Sequence, residues 1–228
     1  GGSFCLATPE GSGATTTTIG NERAMNPFFA ALTEDEFVEI ALSNLPPVPA
    51  YYSRMADINV RGPRILGGLP KVYPLTPSEV WARLQHDTSI IDTRQTPLYA
   101  ASHIPRSYSV PFGGSVGTWV GWLVPFGSSL VIVVESEENL DAMIRQLIRI
   151  GYDDLDGYLG GGMEAWNESG FPTSSFEMLS PQDAYSRMEG GDGPQPLDVR
   201  FGYELRSGHV PTAMHVELGD LPSEAPKL

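Results

Sequence analysis

The sequence predicts an α/β fold in which a central parallel β-sheet is flanked by helices. The first observation is LVIVVESEENLDAMIRQL, from Leu130 to Leu147, where a strand-like apolar run is followed by apolar residues at helical spacing. The second is an internal repeat, offset by 104 to 106 residues, in which each copy carries a helix pattern and then a strand pattern. Helix and strand patterns that alternate in this way predict a parallel sheet.

The first 73 residues differ in composition from the rest and are interpreted as an appendage or the tail of another domain. They contain an acidic, helix-like stretch from Glu34 to Leu42 and a proline-rich segment, LPPVP, at 45–49. They also hold the single cysteine, Cys5, which excludes an internal disulfide and any multi-cysteine metal site. No His, Lys or Arg stands beside Cys5 to lower the pKa of its thiol, so we do not expect it to act as a nucleophile.

Residues 74–175 are predicted to form one complete unit. It begins with LTPSEVWARL, in which Thr76 is expected to cap a helix whose first residue is Pro77. The apolar run Val131 to Val134 predicts a strand that is buried on both faces. The remaining predicted elements are a strand ending in Asp92-Thr93-Arg94, a helix beginning near Leu140, a short strand from Asp154 to Tyr158 and a helix around Met163 to Trp166.

Residues 176–228 repeat only the first half of that unit. LSPQDAYSRM at 179–188 repeats the opening helix, and Asp198, Arg200 and His209 repeat Asp92, Arg94 and His103 at an offset of 106 residues. Only 19 residues follow His209. Half of a parallel sheet leaves a strand edge unpaired, so the second unit is expected to be incomplete and Leu228 is not expected to be the biological terminus.

The turn between the Val131–Val134 strand and the helix after it is the predicted functional site. It has the sequence Glu135-Ser136-Glu137-Glu138. In an open α/β sheet such a turn lies at the carboxyl edge of the strands, where ligands bind, and the first N–H groups of the helix can bind an anion.

The charge balance excludes several classes of partner. The formal net charge is −14 and no cluster of Lys and Arg is present, so neither a nucleic-acid nor a membrane partner is expected. No apolar run approaches the roughly 18 residues that a membrane span requires. A single cysteine fits a reducing compartment, and a cytoplasmic location is expected.

Three motifs of the first unit resemble those of rhodanese-like sulfurtransferase domains. These are Asp92-Thr93-Arg94, Ser102-His103-Ile104-Pro105 and the stretch GGGMEAW that ends at Trp166. The resemblance covers about residues 74–173, and the first two motifs recur as Asp198-Val199-Arg200 and Gly208-His209-Val210-Pro211. It implies a rhodanese-like fold.

The N-terminal residues resemble the C-terminal end of metallo-β-lactamase-fold proteins that are fused to rhodanese domains. The stretches that carry this resemblance are TIGNER at 18–23, Asn26-Pro27 and LPPVPAYY at 45–52, followed by Met55 and Asn59. The relatives implied are persulfide dioxygenases and other proteins of persulfide and thiosulfate metabolism. Their metal ligands lie upstream of the segment that matches the start of this chain. Iron or zinc is therefore expected only in an upstream domain, and no cofactor is expected in this chain.

The rhodanese resemblance implies a catalytic cysteine directly after the central strand. Here Glu135 or Ser136 occupies that position, and the loop is about one residue shorter than the family's. A sulfurtransferase requires a thiolate nucleophile, so we expect no catalytic residue in this unit. The other motif residues are expected to be structural. Asp92 and Arg94 are expected to form an ion pair rather than an acid–base couple, and His103 is expected to bond backbone rather than act as a general base. The same is expected of their repeats, Asp198, Arg200 and His209.

The sequence therefore predicts the non-catalytic part of a sulfur-metabolism fusion protein, serving in domain docking or assembly. Three alternatives stay open. The first is sulfur transfer by a completed second rhodanese domain, and the second is a hydrolytic or transfer reaction in this chain that uses Asp92 and His103, or Cys5. The third is an acidic module that binds a basic partner. Whether this chain is itself an enzyme is left undecided. The expected partners are the other domains of the same polypeptide, and formation of a homo-oligomer is left open.

Overall fold

The computed structural model describes residues 16–29, 33–43, 51–189 and 193–227, and the chain divides into two compact units, Gly1–Val48 and Pro49–Leu228. The helices are α1 Ile19–Met25, α2 Glu34–Ser43, α3 Tyr52–Arg61, α4 Pro77–Leu84, α5 Thr96–Ala101, α6 Val116–Leu123, α7 Leu140–Arg149, α8 Gly162–Glu168, α9 Pro181–Glu189, α10 Gly202–Leu205 and α11 Leu221–Glu224. The strands are β1 Pro74–Leu75, β2 Thr88–Asp92, β3 Tyr108–Ser109, β4 Ser129–Val133, β5 Leu155–Leu159, β6 Leu197–Asp198 and β7 Met214–His215. No helix within these described ranges is long and apolar enough to cross a membrane.

The first unit contributes two short helices that begin with side-chain caps. The Thr18 hydroxyl accepts a hydrogen bond from Asn21 N at the start of α1. At the start of α2, Thr33 and Glu36 bond each other's backbone N–H groups, the reciprocal arrangement of a capping box. Helix α2 confirms the acidic helix predicted from Glu34 to Leu42. Cys5 lies outside the described residues.

The second unit contains a five-stranded parallel sheet with the strand order β1-β5-β4-β2-β3. Strand β4 is central, and all its residues from Leu130 to Val133 are fully buried because helices cover both faces of the sheet. Ile132 packs into one apolar cluster with α6 and α7, while Val131 and Val133 pack into the other with α4 and α8. The predicted parallel sheet with a doubly buried central strand is confirmed.

The helices around this sheet follow from local sequence. Thr76 caps α4, and its backbone N–H donates to the Glu79 carboxylate at 2.8 Å. Helix α7 buries the apolar stripe that its spacing predicted, namely Leu140, Met143, Ile144 and Leu147. The predicted strand at 154–158 is observed one residue later as β5, and the predicted helix near Trp166 is observed as α8.

Helix α6 was not predicted, because its sequence VGTWVGWL is apolar on most sides and lacks a polar stripe. A Cβ at Gly121 would overlap the buried ring of Tyr51, so glycine permits this close approach just before α3. The Arg54 guanidinium on α3 lies 5.6 Å from the centre of the Phe126 ring. Residues 51–61 thus pack on the sheet domain, while a domain boundary at residues 73 and 74 stays a prediction.

The repeated segment forms helix α9 and the two-stranded parallel pair β6–β7. Leu197 pairs with Met214, and the repeat offset of 106 residues makes this the counterpart of Ile91 with Tyr108. The ring centres of Trp122 on α6 and Phe201 lie 6.3 Å apart. Trp122 therefore contacts the repeated segment.

Candidate functional site

The predicted turn lies at the carboxyl edge of the sheet, between β4 and α7. Asp92 at the end of β2 pairs with Val133 at the end of β4, which brings the residues after each strand together. Thr93 continues this pairing, since both its backbone N and its hydroxyl donate to Val133 O, at 2.8 and 2.9 Å. Glu135 and Ser136 therefore lie next to the Asp92-Thr93-Arg94 motif.

Protein side chains hold the turn in place. The Ser136 hydroxyl accepts a hydrogen bond from Glu138 N at 3.4 Å and caps a 3₁₀ turn, Glu137–Asn139, that leads into α7. The Tyr158 hydroxyl, from β5, donates to the Glu137 carboxylate at 3.0 Å. Burial and the neighbouring Glu137 carboxylate raise the pKa of Tyr158, so Tyr158 stays a hydrogen-bond donor at neutral pH. Ser136 and Glu137 are therefore both bonded to other groups of the protein.

A cavity of about 320 Å³ lies beside this turn. Its walls are Thr93, Gln95, Phe112, Glu135, Ser136 and Asn139. They provide one carboxylate, amide and hydroxyl groups and an aromatic ring, with no Lys, Arg or His. The sequence pointed to this turn, including Glu135 and Ser136, but gave no signal for Gln95 or Phe112.

Asp92 and Arg94 form a buried ion pair that does not face this cavity. Arg94 Nη2 lies 2.7 Å from Asp92 Oδ2, and Arg94 Nε donates to both carboxylate oxygens at 3.0 and 3.1 Å. Arg94 Nη2 also donates to Ser102 O at 2.7 Å, which connects the strand end to the loop after α5. The Asp92 side chain is fully buried. The expected ion pair is therefore present, and a purely structural role for it stays a prediction.

His103 is buried and bonded to backbone. Its Nδ1 lies 2.8 Å from Tyr99 O, and its ring stacks on the Tyr99 ring at 4.0 Å between centres. Its backbone exchanges two hydrogen bonds of 2.9 Å with Ser174 in the segment that follows the sheet domain. Phe176 packs against the edge of the same imidazole. This arrangement positions a loop and presents no base to the cavity.

The second repeat reproduces these contacts in a more exposed setting. Arg200 Nη2 lies 2.6 Å from Asp198 Oδ2 and donates to Gly208 O at 2.9 Å. Hydrogen bonds from the Arg200 side chain lower the pKa of Asp198 to about 2. His209 Nδ1 lies 3.3 Å from Leu205 O. The repeated motif residues therefore stand in the same pairwise relations as their first-copy counterparts.

A second cavity, of about 450 Å³, lies at the carboxyl end of β7 and includes His215, Glu217 and Asp220 in its walls. Two of these groups are already bonded: His215 Nε2 lies 2.9 Å from Arg200 O, and Glu217 accepts from Gly202 N at 2.8 Å. Across residues 16–29, 33–43, 51–189 and 193–227, no group of three His, Cys, Asp or Glu side chains is arranged to hold a metal ion.

Comparison with known structures finds many similar chains, and three of them illustrate the range. A metallo-β-lactamase from Staphylococcus aureus subsp. aureus COL is 23% identical with a TM-score of 0.50, and the match covers 63% of this chain and 40% of that one. The Alr3790 protein from Anabaena sp. is 19% identical with a TM-score of 0.41, and the match covers 51% of this chain and 90% of that one. A thiosulfate sulfurtransferase from Pseudomonas aeruginosa is 18% identical with a TM-score of 0.39, and the match covers 78% of this chain and 38% of that one.

These similarities concern the fold, and this chain spans 40% of the length of the staphylococcal chain. No curated protein matched the sequence. The rhodanese-like domain family matches residues 76–169. This range includes most of the helices around the parallel sheet and every strand of the sheet except β1. Residues 76–169 therefore form a rhodanese-like domain.

Proposed function

We propose that the rhodanese-like domain is non-catalytic and serves in docking or assembly within a larger protein of sulfur metabolism. The observation that carries this proposal is the turn after β4, where Glu135 and Ser136 stand in place of a thiol. Sulfur transfer through a persulfide requires a thiolate that attacks the sulfane sulfur of the donor, and a carboxylate or hydroxyl does not replace it. The bonds that Ser136 and Glu137 make inside the protein further support a structural turn.

The turn also disfavours the anions on which a sulfurtransferase acts. Glu135, Glu137 and Glu138 precede the start of α7. Each contact between two like unit charges at 4 Å costs about 1 kcal/mol even in water. Thiosulfate would meet this negative rim before it reached any backbone N–H group.

A sulfur-transfer assay tests the proposal. The purified chain, given thiosulfate and cyanide, is expected to form thiocyanate no faster than buffer, because Cys5 is its only thiol. The Cys5→Ser variant should behave identically, and a sulfurtransferase that has its nucleophilic cysteine serves as the positive control. Thiocyanate formation above the buffer rate would contradict the proposal, and its loss in Cys5→Ser would assign the activity to Cys5.

The proposed parent protein is a fusion of a metallo-β-lactamase-fold domain with rhodanese-like domains, of the persulfide dioxygenase type. In this arrangement residues 1–73 are the end of the metallo-β-lactamase-like domain and a linker, and any iron or zinc is held further upstream. The fold similarity to the staphylococcal metallo-β-lactamase supports it. Residues 176–228 are then the first half of a second rhodanese-like domain, a proposal supported by the repeated Asp198–Arg200 pair. If that domain transfers sulfur, its cysteine lies about 30 residues beyond His209, the spacing of Glu135 from His103.

A second candidate function is the binding of a basic partner, supported by the cavity that Glu135 and Phe112 line and that contains no cationic side chain. An ammonium or guanidinium group there would meet a carboxylate and an aromatic ring, both of which attract cations.

Binding of a fluorescent hexalysine peptide, followed by anisotropy, tests this candidate. Replacing Glu135, Glu137 and Glu138 with Gln is expected to weaken binding at least about fivefold, since at least one contact of about 1 kcal/mol is lost. A matched control removes three exposed charges from α2 by Glu34→Gln, Asp35→Asn and Glu39→Gln. Equal weakening by both triple variants would show that net charge alone attracts the peptide, which contradicts a specific site.

A further inference from the structure

Trp122, near the end of α6, contacts the second repeat and does not belong to the core of its own domain. Among the residues that the structure describes, the two apolar clusters of the sheet domain include Trp119 from the same helix but not Trp122. The ring centre of Trp122 lies 6.3 Å from that of Phe201. Tryptophan is enriched among the side chains that anchor interfaces, and Trp122 has the position of such an anchor.

A second residue of the repeat fits closely against the same ring. A Cβ atom at Gly219 would lie 2.5 Å from Cζ3 of Trp122 and 2.7 Å from its Cε3. The φ of Gly219 does not lie in the left-handed region, so the indole ring, and not the backbone conformation, excludes a larger residue. Trp122 therefore packs directly against the backbone of Gly219.

The first repeat differs at both of these positions. At the offset of 106 residues, Phe201 corresponds to Gln95, which is polar and exposed. Gly219 corresponds to Gly113, where an added Cβ would meet no described neighbouring atom within 4 Å. The aromatic ring at position 201 and the close packing at position 219 are thus specific to the repeat that contacts Trp122.

Both contacts of Trp122 fall in the loops that follow β6 and β7, and these two loops are bonded to each other. Leu218 N donates to Val199 O at 3.0 Å. Gly202 N donates to a carboxylate oxygen of Glu217 at 2.8 Å. Because these bonds join the two loops, the indole ring contacts both loops as one unit.

The same two loops line a cavity in each repeat. In the first repeat, Gln95 and Phe112 lie in the walls of the cavity of about 320 Å³. In the second repeat, Glu217 and Asp220 lie in the walls of the cavity of about 450 Å³. The ring of Trp122 thus packs against the loops that shape the second cavity.

We propose that Trp122 is a positioning residue through which the rhodanese-like domain fixes the two cavity-forming loops of the second repeat. This inference rests on the docking role proposed above. It identifies the docking surface as the last turn of α6 and the docked segments as residues 199–202 and 216–220. Removal of the ring frees both loops and leaves the sheet domain folded, because neither apolar cluster of the described residues includes Trp122.

Amide hydrogen exchange, resolved by NMR, tests the proposal on the 228-residue chain. In Trp122→Ala, the amides of Gly202 and Leu218 are expected to exchange at least about tenfold faster than in the unsubstituted chain. The Phe112 amide, which is the first-repeat counterpart of Leu218, should keep its rate. Trp119→Ala is the matched control on the same helix. Its ring packs on the domain core, so this variant should not accelerate Gly202 and Leu218 relative to Phe112.

Gly219→Ala probes the same contact from the other side. Its methyl group would overlap the indole ring, so this variant is also expected to accelerate exchange at the Gly202 and Leu218 amides. When Trp122→Ala is already present, Gly219→Ala should change these rates by less than about twofold, because the ring that excludes the methyl group is gone.

Unchanged exchange at Gly202 and Leu218 in Trp122→Ala would overturn the proposal. Equal acceleration of the Phe112 amide would overturn it as well, because it would show a general loss of stability. An equal effect of Gly219→Ala with and without the Trp122 ring would show that the backbone, and not the ring, requires glycine. None of these outcomes depends on thiocyanate formation, so failure of this inference is distinct from failure of the proposed non-catalytic role.

Discussion

Replacing Asp92 with alanine is expected to lower the free energy of unfolding by about 3–5 kcal/mol, the cost of removing one partner of a buried ion pair. The substitution leaves the Arg94 guanidinium buried with Ser102 O as its remaining acceptor among the bonds described above. Because domains are stable by only about 5–15 kcal/mol, this loss would unfold a considerable fraction of the protein under mild denaturant. Urea denaturation followed by circular dichroism measures it.

The second repeat provides a matched control for this prediction. Asp198 makes the same set of hydrogen bonds with Arg200, but these side chains are 12% and 41% exposed, whereas Asp92 and Arg94 are 0% and 9% exposed. Water can solvate Arg200 after Asp198→Ala, so we expect a distinctly smaller loss there. Equal losses of unfolding free energy in the two variants would contradict the expectation that burial determines how much this ion pair contributes to stability.

The sequence predicted those elements that are determined by residues close together in the chain. The continuous apolar run of β4, the helical stripe of α7 and the Thr76 cap of α4 each depend on residues within one strand or one helix. The internal repeat extended these predictions to β6 and α9. The carboxyl-edge position of the Glu135 turn then followed from parallel topology alone.

The parts that were missed depend on residues far apart in the chain. The bond from Tyr158 to Glu137 joins residues 21 positions apart and has no periodic signature. Phe112 and Gln95 reach the cavity from loops after β3 and β2, whose courses are set by tertiary packing. Helix α6 was missed because it is apolar on most sides and carries Gly117 and Gly121, both unfavourable in isolated helices. Packing against Tyr51 and α7 is what accommodates them.

The turn after β4 is stabilised by groups of the protein itself. A helix start leaves several N–H groups unpaired, and a bound anion can satisfy them. Here Ser136 accepts from one of these N–H groups, and Glu137 and Glu138 provide negative charge next to the positive end of the helix. Tyr158 fixes the Glu137 carboxylate in this position. The local stability of the turn therefore does not depend on a ligand.

Replacing Trp166 with alanine is expected to cost about 3–5 kcal/mol of unfolding free energy, as for other buried aromatic side chains. Trp166 is fully buried at the end of the GGGMEAW stretch, and its ring centre lies 5.2 Å from that of Phe171 and 6.3 Å from that of Trp81. Its Nε1 donates to Pro172 O at 3.1 Å. The substitution would leave a cavity between α4 and α8 and remove the donor for that carbonyl.

The Trp166→Phe variant separates packing from hydrogen bonding. It keeps most of the aromatic contact with Trp81 and Phe171 but loses the Nε1 donor, so a smaller loss of about 1–2 kcal/mol is expected. Guanidinium denaturation monitored by circular dichroism avoids the loss of a tryptophan fluorophore. If the phenylalanine variant lost as much stability as the alanine variant, the bond to Pro172 would dominate. The contribution of this motif would then come from closing the last loop of the domain rather than from filling its core.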